Sequence, residues 1–131
     1  MIERWFDRLW RERDPAAFDD MRDPTAQSHG LGQAAFDYAA FKAFHARACE
    51  VFEKTAVVVD EVILEGERAA YRGRFLAMRR GVQFEMHGAG FMTIRDGRII
   101  AGHNYWDVAG LLAQAGVGPG ATTLEEALSL L

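Results

Sequence analysis

The chain has 131 residues, of which 50% are hydrophobic and 26% are charged, and its formal net charge is −4 at pH 7. This length fits one domain with one core, and the composition excludes disordered, collagen-like and coiled-coil proteins. The negative charge argues against a nucleic-acid partner, and a single cysteine, Cys49, excludes an internal disulfide and a cysteine-ligated zinc site.

The N-terminal region is predicted to form two helices followed by a loop. Residues 2–10 place apolar side chains at helical spacing, with charged residues opposite them. An Asp-Pro pair at 14–15 starts a short second helix, which a second Asp-Pro pair at 23–24 ends. Residues 25–35 are small and polar, which predicts a loop, and this loop carries His29.

A long helix and then four strands are predicted in the middle of the chain. Asp37 can cap a third helix whose inner face ends at Phe52. The pattern then changes from helical to strand-like, because β-branched residues become frequent and short turns separate the apolar runs. The predicted strands are residues 57–64, 68–79, 82–95 and 98–106. Helices followed by antiparallel strands indicate an α+β fold in which a curved sheet encloses a cavity beside the helices.

The C-terminal region is predicted to be helical in two places. Asp107 can cap a short helix that Gly116 ends. The tail, residues 117–131, then places Leu124 and Leu128 on one face of a second short helix, which can cover the cavity mouth or contact a partner subunit. No apolar stretch reaches the roughly 20 residues of a membrane helix. The N-terminus has no signal-peptide pattern, so we expect a cytoplasmic protein without membrane contact.

Three segments near the C-terminus carry a resemblance to a known family. They are DGRI at 96–99, NYWD at 104–107 and GLLAQAG at 110–116. This succession resembles the closing signature of the SnoaL-like polyketide cyclases, which belong to the nuclear transport factor 2-like superfamily. The resemblance covers residues 3–116 and implies one α+β domain over residues 1–131, with a cone-shaped antiparallel half-barrel around the N-terminal helices. It also implies a homodimer and a pocket that works without a metal ion or an organic cofactor.

Comparison with the ketosteroid isomerase branch of that superfamily assigns the first candidate site residues. The resemblance places the pocket tryptophan at Trp106 and the catalytic base, a carboxylate in the isomerases, at His29. The two oxyanion-hole donors fall on Trp5 and Ala89. Because Ala89 has no side-chain donor, steroid isomerase activity is not expected.

Strand alternation extends this set, since side chains two residues apart point to the same face. With Trp106 facing the cavity, Asn104 faces it as well. A reversed register would instead place His103, Tyr105 and Asp107 in the cavity. A bulge at Gly88 or Gly90 would reverse part of this assignment. The other inward residues are expected to be Tyr71, Gly73, Phe75 and Ala77 on the second strand and, on the third strand, Gln83, Glu85, His87, Ala89, Phe91 and Thr93.

The predicted chemistry is acid–base catalysis across this cavity. His29 would act as the base, because an imidazole titrates near neutrality and can take a proton next to a carbonyl. His87 and Asn104 would polarise or protonate the substrate oxygen. The aromatic residues expected to bind the substrate are Trp106, Phe91, Tyr71, Trp5 and Phe75.

Most of these residues also have a structural interpretation. His29 can cap a turn, His87 can be a core histidine, and Asn104 can bridge two strands. Asp107 is interpreted as a helix cap. The aromatic residues can simply form the core. No metal site is expected, because His45 and Cys49, spaced four residues apart on the third helix, have no further ligand nearby in sequence and are better explained by a packed helix face.

The sequence therefore predicts a cofactor-independent cyclase, isomerase or dehydratase that acts on a hydrophobic, oxygen-bearing carbonyl compound. The alternative is a protein of the same fold that binds a small ligand, or serves as an interaction module, without chemistry. A cone filled by side chains with His29 in solvent would contradict the enzyme, whereas an open cavity with two converging imidazoles would support it. A homodimer through the outer sheet face is expected, with His103 and Tyr105 at the contact.

Overall fold

The computed structural model describes residues 1–131 and contains one mixed sheet and five α-helices. The helices are α1 (Ile2–Phe6), which continues as a π-helical turn (Asp7–Arg11), α2 (Ala17–Met21), α3 (Tyr38–Val51), α4 (Val108–Gln114) and α5 (Leu124–Leu128). The strands are β1 (Arg22–His29), β2 (Lys54–Glu65), β3 (Arg68–Arg79), β4 (Val82–Arg95) and β5 (Arg98–Trp106). No helix reaches the length and hydropathy that a bilayer crossing requires.

The strands form a curled, unclosed sheet in the order β1-β5-β4-β3-β2. Consecutive strands from β2 to β5 pair in antiparallel fashion, and β1 pairs with β5 in parallel. α1 and the π-helical turn contact β2, and α3 contacts β1, so these helices fill the inner side of the curl. The predicted α+β fold, a cone-shaped half-barrel wrapped around the N-terminal helices, is confirmed.

The core lies between the sheet and the layer formed by α1, α2 and α3. Phe18 is fully buried and meets the rings of Trp5 and Phe41 edge-on. His45 of α3 is also buried, and its Nε2 lies 2.6 Å from the Leu9 carbonyl oxygen. The histidine–cysteine pair of α3 is thus part of a packed helix face.

The hairpin turns follow the turn chemistry of the sequence. Asp96 and Gly97 join β4 to β5 with φ angles of 51° and 75°. Arg80 and Gly81 join β3 to β4 with φ angles of 50° and 78°. Turns with two positive φ angles match the right-handed twist of the strands that they connect. Both predicted turns are therefore present.

Two predicted helix caps form in the structure. Asp37 Oδ1 accepts a hydrogen bond from the Ala40 amide at 2.9 Å, and Asp107 Oδ1 accepts one from the Gly110 amide at 3.0 Å. Each carboxylate satisfies an amide that the helix leaves without a partner. Asp107 is therefore a structural cap of α4, as its sequence position predicts.

Removing the cap of α4 should lower the stability of the protein. We expect Asp107→Ala to reduce the free energy of unfolding by about 1 kcal/mol, because the Gly110 amide loses its partner. Asp107→Asn keeps a residue of equal capping rank and should behave like the wild type. Urea unfolding followed by circular dichroism measures both variants. Equal losses in the two would contradict the capping role.

The N-terminal region differs from the prediction in two places. The first helix changes at Asp7 into a π-helical turn, in which the Glu12 amide donates to the Asp7 carbonyl at 2.8 Å. Residues 22–29, which were expected to include part of a loop, form strand β1. As an edge strand with an irregular register after Arg22, β1 accepts Pro24 and needs no β-branched residues. Pairing with β5 stabilises this strand, and the composition of residues 22–29 by itself does not predict a strand.

The predicted face of β4 is wrong by one residue. Gly88 pairs with Trp106, and Gly90 pairs with Asn104. Because directly paired residues share one face of a sheet, the even-numbered residues of β4 point inward. The buried side chains on this inner face are Phe84, Met86 and Met92. The residues expected inside, which instead point outward, are Gln83, Glu85, His87, Ala89, Phe91 and Thr93.

The C-terminal helix α5 packs on its own cone. Leu124 and Leu128 are buried, and the Glu125 amide donates to the Leu31 carbonyl at 3.0 Å. This bond ties α5 to the loop at residues 30–35. Together α5 and that loop form a cover over the cone, which is the first of the two positions expected for the tail.

Candidate functional site

A narrow cavity lies inside the cone, between the sheet and the N-terminal helical segment. Its volume is about 40 Å³. A space of this size holds a few water molecules, since one water needs roughly 10–15 Å³. The walls are mainly apolar, and all three tryptophans of the chain, Trp5, Trp10 and Trp106, belong to them. Tryptophan fluorescence therefore reports on the contents of the cavity.

Three side chains form the polar end of the cavity, namely Arg22, Ser28 and Asn104. Ser28 of β1 pairs with Gly102 of β5, and Asn104 lies two residues further along β5, so the polar end lies where β1 joins β5. No carboxylate and no imidazole lines the cavity. The lining therefore offers hydrogen-bond donors to a ligand oxygen but no side chain that takes up a proton at neutral pH.

Arg22 is only 1% exposed, yet no carboxylate pairs with it. Its Nη2 donates to the carbonyl oxygens of Ala26 at 2.9 Å and Phe36 at 3.1 Å, and lies 3.4 Å from Ser28 Oγ. Its Nε and Nη1 have no hydrogen-bond partner. Burial lowers the pKa of the Arg22 guanidinium, and the smaller coulombic effects of Asp37 and Asp23 act in the opposite direction. The side chain thus brings a positive charge without a directly paired carboxylate to the polar end.

Two hydrogen bonds hold the amide of Asn104 in place. The Tyr71 hydroxyl donates to Asn104 Oδ1 at 2.8 Å, and Asn104 Nδ2 donates to the His29 carbonyl oxygen at 2.9 Å. Burial raises the pKa of Tyr71 well above its ordinary value, so the hydroxyl stays protonated and donates. Asn104 keeps one amide hydrogen and one lone pair for a ligand.

Two glycines of β4 make room for the aromatic side chains of the protein itself. A Cβ at Gly88 would lie 2.2 Å from the Trp106 ring, and one at Gly90 would lie 2.5 Å from the Tyr71 hydroxyl. The space beside these two small residues is therefore occupied by Trp106 and Tyr71 and is not open to a ligand. Gly102 is different, because a Cβ there would come no closer than 3.9 Å to any neighbour. Gly102 keeps the polar end of the cavity open.

Comparison of the sequence with protein families gives one match that covers most of the chain. The profile of the SnoaL-like domain matches residues 2–102. The chain belongs to the SnoaL-like family. The match confirms the resemblance predicted from the sequence, and it ends before two of the segments that suggested it, at 104–107 and 110–116.

Solved structures of SnoaL-like and related proteins share the fold of this chain. IdmH from Streptomyces antibioticus, a candidate polyketide cyclase, gives a TM-score of 0.74 at 22% identity, over 83% of this chain and 91% of that chain. A candidate SnoaL-like polyketide cyclase from Jannaschia sp. CCS1 gives 0.72 at 20% identity, over 92% and 90%. A protein with a ketosteroid isomerase-like fold from Catenulispora acidiphila gives 0.75 at 18% identity, over 86% and 89%.

Comparison with curated proteins gives no significant match. The identities to the solved structures are low, so those likenesses show the fold alone. Membership of the SnoaL-like family supports a cyclase- or isomerase-type role at the level of the family.

His29, the predicted base, lies outside the cone of this SnoaL-like protein. Its side chain is exposed, and its ring stacks on His103 with the ring centroids 4.5 Å apart and the planes at 5°. The pairing of β1 with β5 places these two residues side by side on the outer face, while Ser28 takes the inward position. Phe91 pairs with His103 on the same outer face and is 54% exposed. Neither His29 nor Phe91 lines the cavity.

His87, the predicted acid, also lies outside the cone. Its side chain is 70% exposed, and its Nε2 lies 3.4 Å from Glu85 Oε1. His87 lies outside because the odd-numbered side chains of β4 point outward. It is therefore neither a core histidine nor an acid inside the cavity. His87 instead borders an open groove of about 690 Å³ that Asn104 and Trp106 also border. The SnoaL-like cone and this groove thus meet at Asn104 and Trp106.

Four of the predicted site residues do line the cavity, and they are Asn104, Trp106, Trp5 and Phe75. Tyr71 does not line the cavity. Its hydroxyl donates a hydrogen bond to the lining residue Asn104. The reversed register is excluded for β5, because His103 and Tyr105 are exposed. The roles of these residues in binding and catalysis stay predictions.

Two residues of the polar end, Arg22 and Ser28, are absent from the sequence prediction. Both belong to a segment that the sequence predicts to be a helix end and a loop, so strand alternation gives no expectation about which of its side chains point inward. Ser28 alternates with the exposed Gln27 and His29, but this signal has meaning only once the segment is known to be a strand. Nothing in the local sequence indicates that Arg22 is buried.

The outer face of the sheet carries a row of side chains that spans all its strands. These are His29, His103, Phe91, Ala70 and Ile63. Phe91 and Ile63 are more than half exposed, as is the neighbouring Tyr105. This is the face on which the sequence predicts a homodimer of the SnoaL-like domain, and the homodimer stays a prediction.

Proposed function

We propose that the cone binds a small carbonyl compound with an apolar body and that Asn104 polarises its carbonyl oxygen in a cyclase- or isomerase-type reaction. The observation that carries this proposal is a cavity with apolar walls and the donors of Asn104 and Ser28 at one end. Membership of the SnoaL-like family supports a cyclase- or isomerase-type reaction. The mainly apolar lining with donors at one end supports a ligand that has an apolar body and an oxygen atom at one end.

Polarisation of a carbonyl needs a donor that is in place before the ligand arrives. Asn104 meets this requirement, because the Tyr71 hydroxyl and the His29 carbonyl fix the plane of its amide. During enolisation a water molecule admitted to the cavity takes the proton from the carbon next to the carbonyl, and the hydrogen bond from Asn104 Nδ2 to the carbonyl oxygen strengthens as negative charge grows on that oxygen. This difference between ground state and transition state lowers the barrier.

A ring-sized ligand requires the cover of the cone to move. The cavity of about 40 Å³ is much smaller than the roughly 150 Å³ of an apolar cavity that binds benzene. Leu124 is the residue of α5 that lines the cavity. The segment before α5 contains Gly116, Gly118 and Gly120, which restrain the backbone little. Displacement of α5 is therefore the expected route by which the cavity enlarges.

Fluorescence and deuterium exchange test binding and chemistry separately. We expect cyclopentanone, cyclohexanone or the bicyclic 1-decalone to change the tryptophan emission in a saturable way. We expect the wild type to exchange deuterium at the carbon next to the ketone faster than buffer does. Asn104→Leu should lower the catalysed exchange by about a hundredfold, which is the effect of losing one oxyanion donor.

His29→Ala is the matched control for this experiment. The substitution removes the exposed imidazole but keeps the backbone carbonyl that holds Asn104, so the exchange rate should not change. Exchange that is lost in His29→Ala and retained in Asn104→Leu would contradict the proposal. An unchanged tryptophan emission with all three ketones would contradict ligand binding in the cone.

Binding without chemistry is the second candidate function. It is favoured by the lining, which contains no carboxylate and no imidazole, because proton abstraction requires a base. Side chains fill all but about 40 Å³ of the cone and His29 lies in solvent, which is close to the arrangement stated above to contradict an enzyme, so this observation also favours binding without chemistry. A saturable change in emission with no catalysed exchange would establish this second function.

A further inference from the structure

We infer that the ligand of the cone carries a carboxylate and that Arg22 binds it. The inference rests on the proposed function, since it names the class of small molecule that the cone takes. It starts from one observation, which is that a guanidinium exposed by only 1% lines the cavity and forms no salt bridge with a carboxylate of the chain.

Only one of the three guanidinium nitrogens of Arg22 makes hydrogen bonds. Nη2 is bonded to the backbone carbonyls of Ala26 and Phe36, whereas Nε and Nη1 have no partner. Buried donors without partners destabilise a folded protein, and each such group calls for an explanation. A ligand oxygen would supply the missing partner once the cavity opens far enough to expose Nε or Nη1, which are buried in the closed structure.

The guanidinium is placed at the wall of the cavity by its neighbours. Its Nη2 lies 3.4 Å from Ser28 Oγ, and its central carbon lies 5.4 Å from the centre of the Phe41 ring. Both Ser28 and Phe41 line the cavity. A ligand that enters the polar end therefore meets the charge of Arg22 together with the hydroxyl of Ser28.

The charge of the lining selects a singly charged anion. Arg22 is the only cationic side chain in the lining, and the lining contains no carboxylate. Other arginines, such as Arg8, Arg74 and Arg95, each pair with an aspartate or glutamate. A monocarboxylate balances the single charge, whereas a phosphate dianion would leave a negative charge in apolar surroundings.

The size of the closed cavity agrees with a carboxylate at its polar end. A volume of about 40 Å³ takes such a group and little more. The apolar remainder of the ligand then occupies the space that Leu124 vacates when α5 moves.

Benzoate and benzamide are the probes that test this inference, because they share a ring and differ in charge. We expect benzoate to bind the wild type about tenfold more tightly than benzamide, or better, in a tryptophan fluorescence titration. Arg22→Met should abolish that preference, and Arg22→Lys should retain part of it. Arg47→Met removes an equal charge from the exposed face of α3 and should leave both affinities unchanged.

Equal affinities of the wild type for benzoate and benzamide would overturn the inference and leave ligand binding in the cone intact. A preference for benzoate that persists in Arg22→Met would also overturn it, as would no binding of benzoate where cyclic ketones bind. If neither aromatic compound nor any ketone binds, the proposed function fails, and the inference fails with it. The wild-type comparison needs no variant, so it decides the matter even where Arg22→Met does not fold.

Discussion

Leu9→Ala is expected to lower the free energy of unfolding by about 3–5 kcal/mol and to create a binding site for benzene. Leu9 lies in the π-helical turn, is fully buried and lines the cavity. Truncation loses the transfer free energy of the removed atoms and leaves a void where they were. Because this void joins the existing cavity, the enlarged apolar space can admit a small ring.

Leu111→Ala is the matched control for this prediction. Leu111 of α4 is also fully buried, but it does not line the cavity. Both variants should lose stability, whereas benzene at five times its Kd should restore about 1 kcal/mol in Leu9→Ala only. Urea unfolding with and without benzene measures these differences. Equal stabilisation of both variants by benzene would show that the cavity does not lie beside Leu9.

Gly30→Ala should reduce the free energy of unfolding by about 3 kcal/mol or more. Gly30 has a φ of 93°, and a Cβ there would lie 1.9 Å from the backbone carbonyl oxygen of Asn104. Backbone cannot yield as a flexible side chain does, so the chain must separate from β5 at this point. The same shift would disturb the His29 carbonyl that holds the Asn104 amide.

Gly66→Ala separates the cost of the backbone conformation from the cost of the contact. Gly66 has a φ of 58°, and a Cβ there would meet no atom within 4 Å. We expect it to cost about 1–2 kcal/mol, the penalty for a side chain in the left-handed region. Denaturant unfolding of both variants gives the difference. A cost for Gly30→Ala no larger than that for Gly66→Ala would show that the close approach to Asn104 does not exist in solution.

Local chemistry explains why several elements follow directly from the sequence. Asp37 and Asp107 cap helices because a carboxylate at that position accepts from an amide two or three residues later. Asp96 and Gly97 turn the chain because both tolerate positive φ. Each of these signals depends only on residues adjacent in the chain.

On β4, the local alternation of apolar and polar residues indicates the buried face correctly, whereas alternation counted from Trp106 indicates the opposite face. Phe84 and Met86 are apolar and alternate with the polar Gln83 and Glu85, which indicates the inner face that the structure has. Further along the strand, Gly88, Ala89 and Gly90 carry no such signal. The prediction therefore depended on extrapolation from Trp106, and the pairing of Gly88 with Trp106 corrects it by one residue.

The sequence by itself determined the α+β class, the four long strands and the helix caps, and the family resemblance placed Asn104 and Trp106 inward with a reversed register still open. Only the tertiary structure decided that β1 is a strand, that His29 stacks on His103 outside the cone, and that Arg22 is buried at the polar end. The physical reason is the distance along the chain between partners. β1 exists because it pairs with β5, and Arg22 is buried because segments distant in sequence close over it. Neither the composition of β1 nor the residues next to Arg22 in the sequence indicate that Arg22 is buried.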